Sequence, residues 1–472
     1  MAIIAGFMVP HPPMIVPDVG NGSERRVEAT TKAYEKVADM IARLKPDTIV
    51  ISSPHTVMYA DYFHVSPGKE AFGSFESFGA PNVSFDISYD SEYVMSLAKN
   101  AALNDLDVGI LGERDKNLDH GTMVPLYFIT KKYTDFKLVR IGLSGFSMST
   151  HYKVGMEIKR TAEELNRRVV YIASGDLSHK LKDYGPYGFD PQGPVYDERI
   201  MDVMGRGAFD ELFDFDENLL DKACECGHRS FVMMAGALDR TALEIEKLTH
   251  EDVTGVGYGI CTYVVNGEDT DRNLLDKWED RELKRIMEDR AKEDAFVRLA
   301  RKTVETFVVT GEKLSWSEVK DEISRYADGE IGELENRRAG AFVSIHKEGR
   351  LRGCIGTTSS TTDSIAEEII QNAISASARD PRFSPITMEE LIKLEITVDI
   401  LGESERIESE DQLDVKKYGV IVTKGMKRGL LLPNLDGVDT VEEQLSIAKR
   451  KAGLAADEKG CMLERFEVVR HY

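Results

Sequence analysis

The strongest constraint on how this chain folds is a rhythm in its first ~265 residues, where short β-rich apolar runs alternate with helical stretches. Residues 2–8 are apolar and strand-like, residues 23–45 carry helical periodicity, and residues 47–53 (DTIVISS) form a buried-strand pattern. Strand patterns return at 107–111, 137–143, 168–174 (RVVYIAS) and 259–265, with helical stretches at 124–133, 149–166 and near 230–239. Strand, helix, strand in succession predicts an α/β layer fold with a central parallel or mixed sheet and flanking helices. In such folds chemistry gathers in the loops beyond the carboxyl ends of the strands.

The rhythm changes after a heavily charged segment, 276–294 (DKWEDRELKRIMEDRAKED), whose pattern is that of a solvated helix with i,i+4 ion pairs. Beyond it a helix is expected over 295–309. Hairpin pairs follow at 341–346/351–355 and 418–423/429–432, with helices at 365–378 and 441–451 and strands at 394–401 and 463–468. That is α+β with an antiparallel sheet. The expected division is a domain over 1–266, a charged linker over 267–290, with the break near 285, and a second domain over 291–472. A length of 472 residues agrees with more than one core.

Charge narrows the function. Sixty Lys and Arg against 82 Asp and Glu leave a formal net charge of −22, which repels nucleic-acid backbones and anionic lipid, so neither partner is expected. No apolar run approaches the ~18–20 residues that span a bilayer, and the start lacks a charged n-region. Five cysteines, an odd number, argue against a disulfide framework and for a reducing cytoplasm. The composition is compatible with a homo-oligomer. No P-loop occurs, and Gly255-Val256-Gly257-Tyr258-Gly259 lacks the full dinucleotide spacing and leads into a strand.

Four of the ten histidines lie in polar loops at strand or helix ends: His11 among Pro10, Pro12 and Pro13, His55 after Pro54, His120 in Asp-His-Gly-Thr, and His179 closing Ser-Gly-Asp-Leu-Ser-His. Prolines fix backbone φ beside His11 and His55, so a ligand there cannot relax away. If the sheet is as read, all four converge on one crevice as a metal or catalytic site. His64, His151, His250, His346 and His471 lack this setting and are expected to be surface or structural. Cys224-Glu225-Cys226-Gly227-His228 precedes a helix and offers an anionic third ligand. Two imidazoles with carboxylate suit Fe(II), and with thiolate Zn(II) or a softer iron site. Spacing alone does not choose between Glu225 and Cys226. Asp176 either orients His179 or caps a turn. In the second half, Cys354 sits between Gly353 and Gly356 at a hairpin exit, with Arg352 nearby to favour thiolate. It is read as a nucleophile or modified residue, or as a small residue filling a tight bulge.

These residues carry two resemblances. His11 with its prolines, Ser-Pro-His55, Asp119-His120-Gly121-Thr122 with Pro125-Leu126, and the string ending at His179 resemble the class III extradiol dioxygenase superfamily (LigB-like), which includes the Memo-like proteins. Leu351-Arg352-Gly353-Cys354-Ile355-Gly356, Arg379-Asp380-Pro381-Arg382-Phe383 and the stretch from Glu443 to Leu454 resemble the AMMECR family. Their fusion resembles the two-domain proteins of AmmeMemoRadiSam systems. The first resemblance implies His11 and His55 as ligands of a non-haem divalent metal, usually Fe(II), with His179 as catalytic acid/base and His120 either supporting the ligands from behind or facing substrate. It implies an oxidoreductase acting on a small aromatic diol. The third ligand of ring-cleaving members is a glutamate, whereas Memo-like proteins use a cysteine, and the distance back from Gly236-Ala237 favours Cys226. The fusion implies instead a metal-binding component working beside a radical SAM partner protein.

Overall fold

In the computed structural model, which describes residues 2–326, 329–435 and 437–472, the chain divides between Glu279 and Asp280 into two compact units. The first is built on a six-stranded mixed sheet. Its order is Lys137–Gly142, Thr48–Ser53, Val169–Ser174, Ile3–Val9, Tyr258–Glu268, Thr241–Glu251. The first four pair in parallel and the last two antiparallel. Three of the four parallel strands are buried at every residue, and Lys137–Gly142 is buried at all but its first. That is why they read as continuous apolar runs without alternation. Thr241–Glu251 (TALEIEKLTHE) eluded the sequence reading. It is an edge strand with a largely solvated pattern, and its charges mask the β signal. The strand expected over 107–111 is absent from this sheet: only Val108–Gly109 is extended, paired with Phe63–His64, and Leu111 is exposed.

Helices cover both faces. Glu28–Leu44 and His120–Ile129 bury their apolar stripes in one core, and Met148–Glu164 and His228–Ala237 in the other. The latter pair cross with backbones almost touching, since a Cβ at Gly236 would stand 2.0 Å from the Tyr152 carbonyl oxygen. Only glycine permits that approach. The charged segment forms the helix Leu274–Lys292. It is less fully solvated than its composition suggests, because Leu274, Leu275 and Trp278 are buried in the first unit's core.

The second unit is a seven-stranded antiparallel sheet. Arg350–Gly356, Ala341–Lys347, Leu394–Leu401, Met462–His471, Tyr418–Lys424 and Lys427–Leu431 follow one another, and Glu405–Ile407 pairs beside Met462–His471. The first hairpin turns through Glu348 (φ 52°) and Gly349 (φ 73°), the two left-handed residues a tight two-residue turn requires. Helices Ala295–Thr310 and Ile365–Ala378 bury Leu299, Val304, Ile369 and Ala373 against it, and Val441–Lys451 covers the other end through Leu445 and Ala448. Among the described residues no helix is long and apolar enough to cross a membrane.

Candidate metal centre

The four histidines do meet, at the carboxyl ends of the parallel strands. His11 follows Ile3–Val9 and is held at two points. Its backbone N–H donates to Asp176 Oδ1 at 2.7 Å. Its Nδ1 lies 2.9 Å from Ser174 Oγ, and that hydroxyl donates its proton to the Gly121 carbonyl at 2.6 Å. The hydroxyl has one proton and gives it to Gly121, so it must accept from His11 Nδ1–H. His11 Nε2 is therefore a bare lone pair. It faces His55 Nε2 at 3.0 Å and Cys226 Sγ at 3.6 Å.

One donor atom from each of His11, His55 and Cys226 lies within 4.8 Å of the others. Two nitrogens about 2.0–2.1 Å from one ion, and a sulfur about 2.3 Å from it, stand roughly 2.9–3.6 Å apart as adjacent ligands. The observed 3.0 and 3.6 Å fall within that span. Electrostatics agrees with the geometry. Burial, then the neighbouring imidazoles of His55, His120 and His179, holds His11 well below the usual histidine range. Burial and His120 bring His55 down to about 4. Both rings are neutral at pH 7, as ligands must be. Burial pushes the Cys226 thiol up, so its anion waits on a cation. The donor set, two neutral imidazoles and one thiol, fits a divalent transition metal.

Glu225, the alternative third ligand, is committed elsewhere. Its carboxylate accepts from the His228 backbone N–H at 2.6 Å, at the start of the following helix, and burial raises its pKa to about 7. Adjacent residues in a turn point in different directions, which spacing could not reveal.

His179 follows the strand Val169–Ser174. Its Nδ1 donates to the Cys224 carbonyl at 2.5 Å, leaving Nε2 bare, and its ring meets Tyr187 edge-on at 5.0 Å. Cys224 adopts φ 53°, an uncommon left-handed conformation for a cysteine. Burial lowers the His179 pKa, with an opposing contribution from Cys224 and a further lowering from His55. The expectation that Asp176 orients His179 is corrected here, because the Cys224 carbonyl does that. Asp176 instead fixes the backbone of His11, and burial raises its carboxyl to about 7. His120 opens the helix His120–Ile129, its N-cap Asp119 tied to Thr122 N at 3.1 Å and Ser53 Oγ at 2.6 Å. Its ring lies 4.0 Å from that of His55 and 5.4 Å from that of His11.

Sequence reasoning missed Ser174, which sets the His11 tautomer, although it begins the string that ends at His179. It also missed Tyr187. Gly175 and Gly227 are in close backbone contact: a Cβ on Gly175 would stand 2.1 Å from Gly227 Cα. Of the remaining histidines, His64 and His151 are buried and His250 is bonded to Asp197 at 2.9 Å, which are structural settings.

In the second unit, Ser344 Oγ donates to Cys354 Sγ at 3.3 Å, and the Cys354 amide donates to Asp380 Oδ2 at 2.9 Å. Arg352 is not the thiol's cation. Its guanidinium binds both Glu390 oxygens at 2.9 Å and the Ser384 and Pro385 carbonyls. Arg382 is the arginine here, donating to the Cys354 carbonyl at 3.1 Å.

A mixed α/β sheet with histidines and a cysteine gathered beyond its parallel strands defines a candidate metal-binding protein of the extradiol dioxygenase superfamily. Residues 5–261 match the family of the catalytic LigB subunit of aromatic ring-opening dioxygenase, and the chain belongs to it. Residues 297–471 match the AMMECR1 family, so a LigB domain is fused to an AMMECR1 domain. A protein of Clostridium acetobutylicum is 41% identical over 487 aligned residues, which cover 100% of this chain and 99% of that one. A Thermotoga maritima protein is 46% identical over 180 residues, 38% of this chain and 98% of its own. A solved structure of an uncharacterised Pyrococcus horikoshii protein is similar at 29% identity with a TM-score of 0.34, covering 38% of this chain and 90% of that chain.

Proposed function

We propose that the LigB unit holds one divalent metal ion on His11, His55 and Cys226 and acts on a small aromatic diol, with His179 moving the proton. The observation that carries this reading is the approach of His11 Nε2, His55 Nε2 and Cys226 Sγ to within 4.8 Å of one another. Iron(II) is the ion the family resemblance favours, and zinc(II) the one a thiolate ligand also suits. When bound, the ion supplies a Lewis acid that lowers the pKa of a coordinated hydroxyl. The chain's own residues do the rest. Ser174 keeps His11 in the tautomer that presents Nε2. His179, its Nδ1–H donated to Cys224, offers Nε2 as base to a diol hydroxyl and later returns the proton as acid. His120 and Tyr187 border the space beside them and orient an aromatic ring.

A second reading rests on Cys226 itself. A thiolate stands where ring-cleaving members carry glutamate, which favours a metal-binding component that does not cleave rings and works beside a radical SAM partner protein in the reducing cytoplasm. Metal analysis of protein purified without oxygen, followed by oxygen uptake with catechols, separates the two. One ion per chain with a ring-opened product supports the first reading, and one ion without oxygen consumption supports the second. A metal-free protein that binds neither ion on titration would refute both.

A further inference from the structure

Independently of the metal centre, the AMMECR1 unit contains a cleft of about 530 Å³ whose lining differs in charge from the rest of the chain. Three arginines, Arg337, Arg338 and Arg428, reach it, against one carboxylate, Glu403, in a protein of net charge −22. Arg337 is paired with Glu333. The other two are held only in loose, exposed ion pairs. Arg338 approaches Asp363 only to 3.8 Å and Arg428 approaches Glu464 only to 3.7 Å, beyond hydrogen-bond distance. Glu464 is already bonded to Ser404 Oγ at 2.9 Å. Neither guanidinium donates a hydrogen bond from its side chain to any described residue.

Opposite them runs a hydroxyl-rich loop, residues 357–362 (TTSSTT), pinned from beneath. The buried Glu368 carboxylate accepts from Thr357 Oγ1 at 2.6 Å, and from the amide and hydroxyl of Thr361 and of Thr362 at 2.8–3.0 Å. Those bonds hold the loop rigid and leave out its middle. The Thr358 and Ser359 hydroxyls line the cleft and have no partner among the described residues. Ser360 and Ser404 complete the polar side of the lining, and Leu401, Ile421 and Phe466, packed as one small buried cluster, form its floor. Two guanidinium groups held only in loose ion pairs, with the Thr358 and Ser359 side chains beside them, make a locus for an oxyanion.

We propose that this cleft is a binding site for a small organic phosphate of nucleoside-monophosphate size, its phosphate on Arg338, Arg428 and the Thr358–Ser359 loop. The volume falls in the usual range for small-molecule sites, roughly 300–1,000 Å³. Glu403 at the lining disfavours a second negative group on the ligand.

Isothermal titration of the full-length protein tests this with three probes: adenosine 5′-monophosphate, inorganic phosphate and adenosine. The monophosphate should bind once per chain and weaken steeply with salt. Inorganic phosphate should compete with it, and adenosine should bind at least about tenfold more weakly. Arg338→Gln and Arg428→Gln, both at exposed side chains, should each weaken the monophosphate by roughly tenfold or more while leaving metal content unchanged. Should either fail to fold, Ser359→Ala serves, with a loss of several-fold. Absence of saturable monophosphate binding below about 10 mM, equal affinity for adenosine, or wild-type affinity in the variants would overturn the proposal.

Discussion

Gly175→Ala is the most demanding test of the metal-centre geometry, because it alters no ligand. A Cβ at residue 175 would stand 2.1 Å from Gly227 Cα, 3.1 Å from its nitrogen and 3.2 Å from its carbonyl carbon. Gly175 is not among the residues with positive φ, so alanine meets no backbone strain there, only a lack of space. Ordinary carbon contact begins near 3.4 Å, so the two segments must part by about 1.3 Å. Gly227 is covalently next to Cys226, and His11 is anchored separately through Ser174. Carried through in full, the displacement would move Cys226 Sγ from 3.6 Å to about 5 Å from His11 Nε2, whereas metal–ligand distances tolerate roughly 0.2 Å. Even a third of it defeats a common coordination sphere. Overpacking of this kind costs about 1–3 kcal/mol, within the stability of a typical domain, so the variant should remain folded. Cobalt(II) titration followed by absorption is the assay. Wild type should show a sulfur-to-cobalt charge-transfer band. Gly175→Ala should lose the band and bind at least about 100-fold more weakly, a change near 2.7 kcal/mol. Gly332→Ala, where a Cβ meets nothing within 4 Å, is the control. A folded Gly175→Ala protein with the band and the affinity intact would refute the reasoning.

Four further outcomes follow from the same structure. Cys226→Ala should lose bound metal while Glu225→Gln retains it, read by elemental analysis; retention in the first and loss in the second would reassign the third ligand. Ser174→Ala removes the group that fixes the His11 tautomer and should weaken metal binding by about 10–100-fold, measured by competition with a chelator. His179→Ala should keep the metal and, if the diol is turned over, lower the rate by roughly 10²–10⁴-fold. In the second unit, burial alone would raise Glu390, but Arg352 and Lys347 bring it down to about 2. A depressed carboxylate pKa contributes stability that is complete above the unfolded value of about 4.3 and is lost as pH falls toward 2. Glu390→Gln should therefore melt below wild type at pH 7 and match it near pH 2.

The parts of this molecule legible in the sequence are those whose signal is local. Ile365–Ala378, Val441–Lys451 and Leu394–Leu401 fall at the residues their periodicity predicts, and the hairpin through Glu348-Gly349 follows from its turn residues. Thr241–Glu251 did not, because an edge strand with alternating charges resembles a solvated segment. The convergence of His11, His55, His120 and His179 was legible because each follows or adjoins an element end in a fold whose loops share one rim. What was hidden depends on which way a side chain turns in a loop: Glu225 capping a helix instead of joining Cys226, Asp176 serving His11 instead of His179, Arg352 serving Glu390 instead of Cys354. Each outcome is decided by contacts far along the chain.

The choice of Cys226 over Glu225 bears on more than ligand identity. Either residue would bring a single negative charge to the ion, so the net charge of the centre is the same. The difference lies in softness and in reach: a thiolate offers one polarisable donor atom, a carboxylate two hard ones. The chain supplies that donor from a buried site where Asp176 N–H already points at Sγ from 3.3 Å, a hydrogen bond that favours the anion once a cation is present. The same loop presents the Cys224 carbonyl to His179, so the proposed metal ligand and the proposed proton carrier are positioned by one turn, 224–227. A ligand change there is therefore also a change in the aim of His179. Restoring a carboxylate with Cys226→Glu tests whether the two are separable. If softness alone bars ring cleavage, that variant should bind iron(II) and consume oxygen with catechol where wild type does not. If the turn must be built for the longer side chain, it should lose the orientation of His179 and gain no activity.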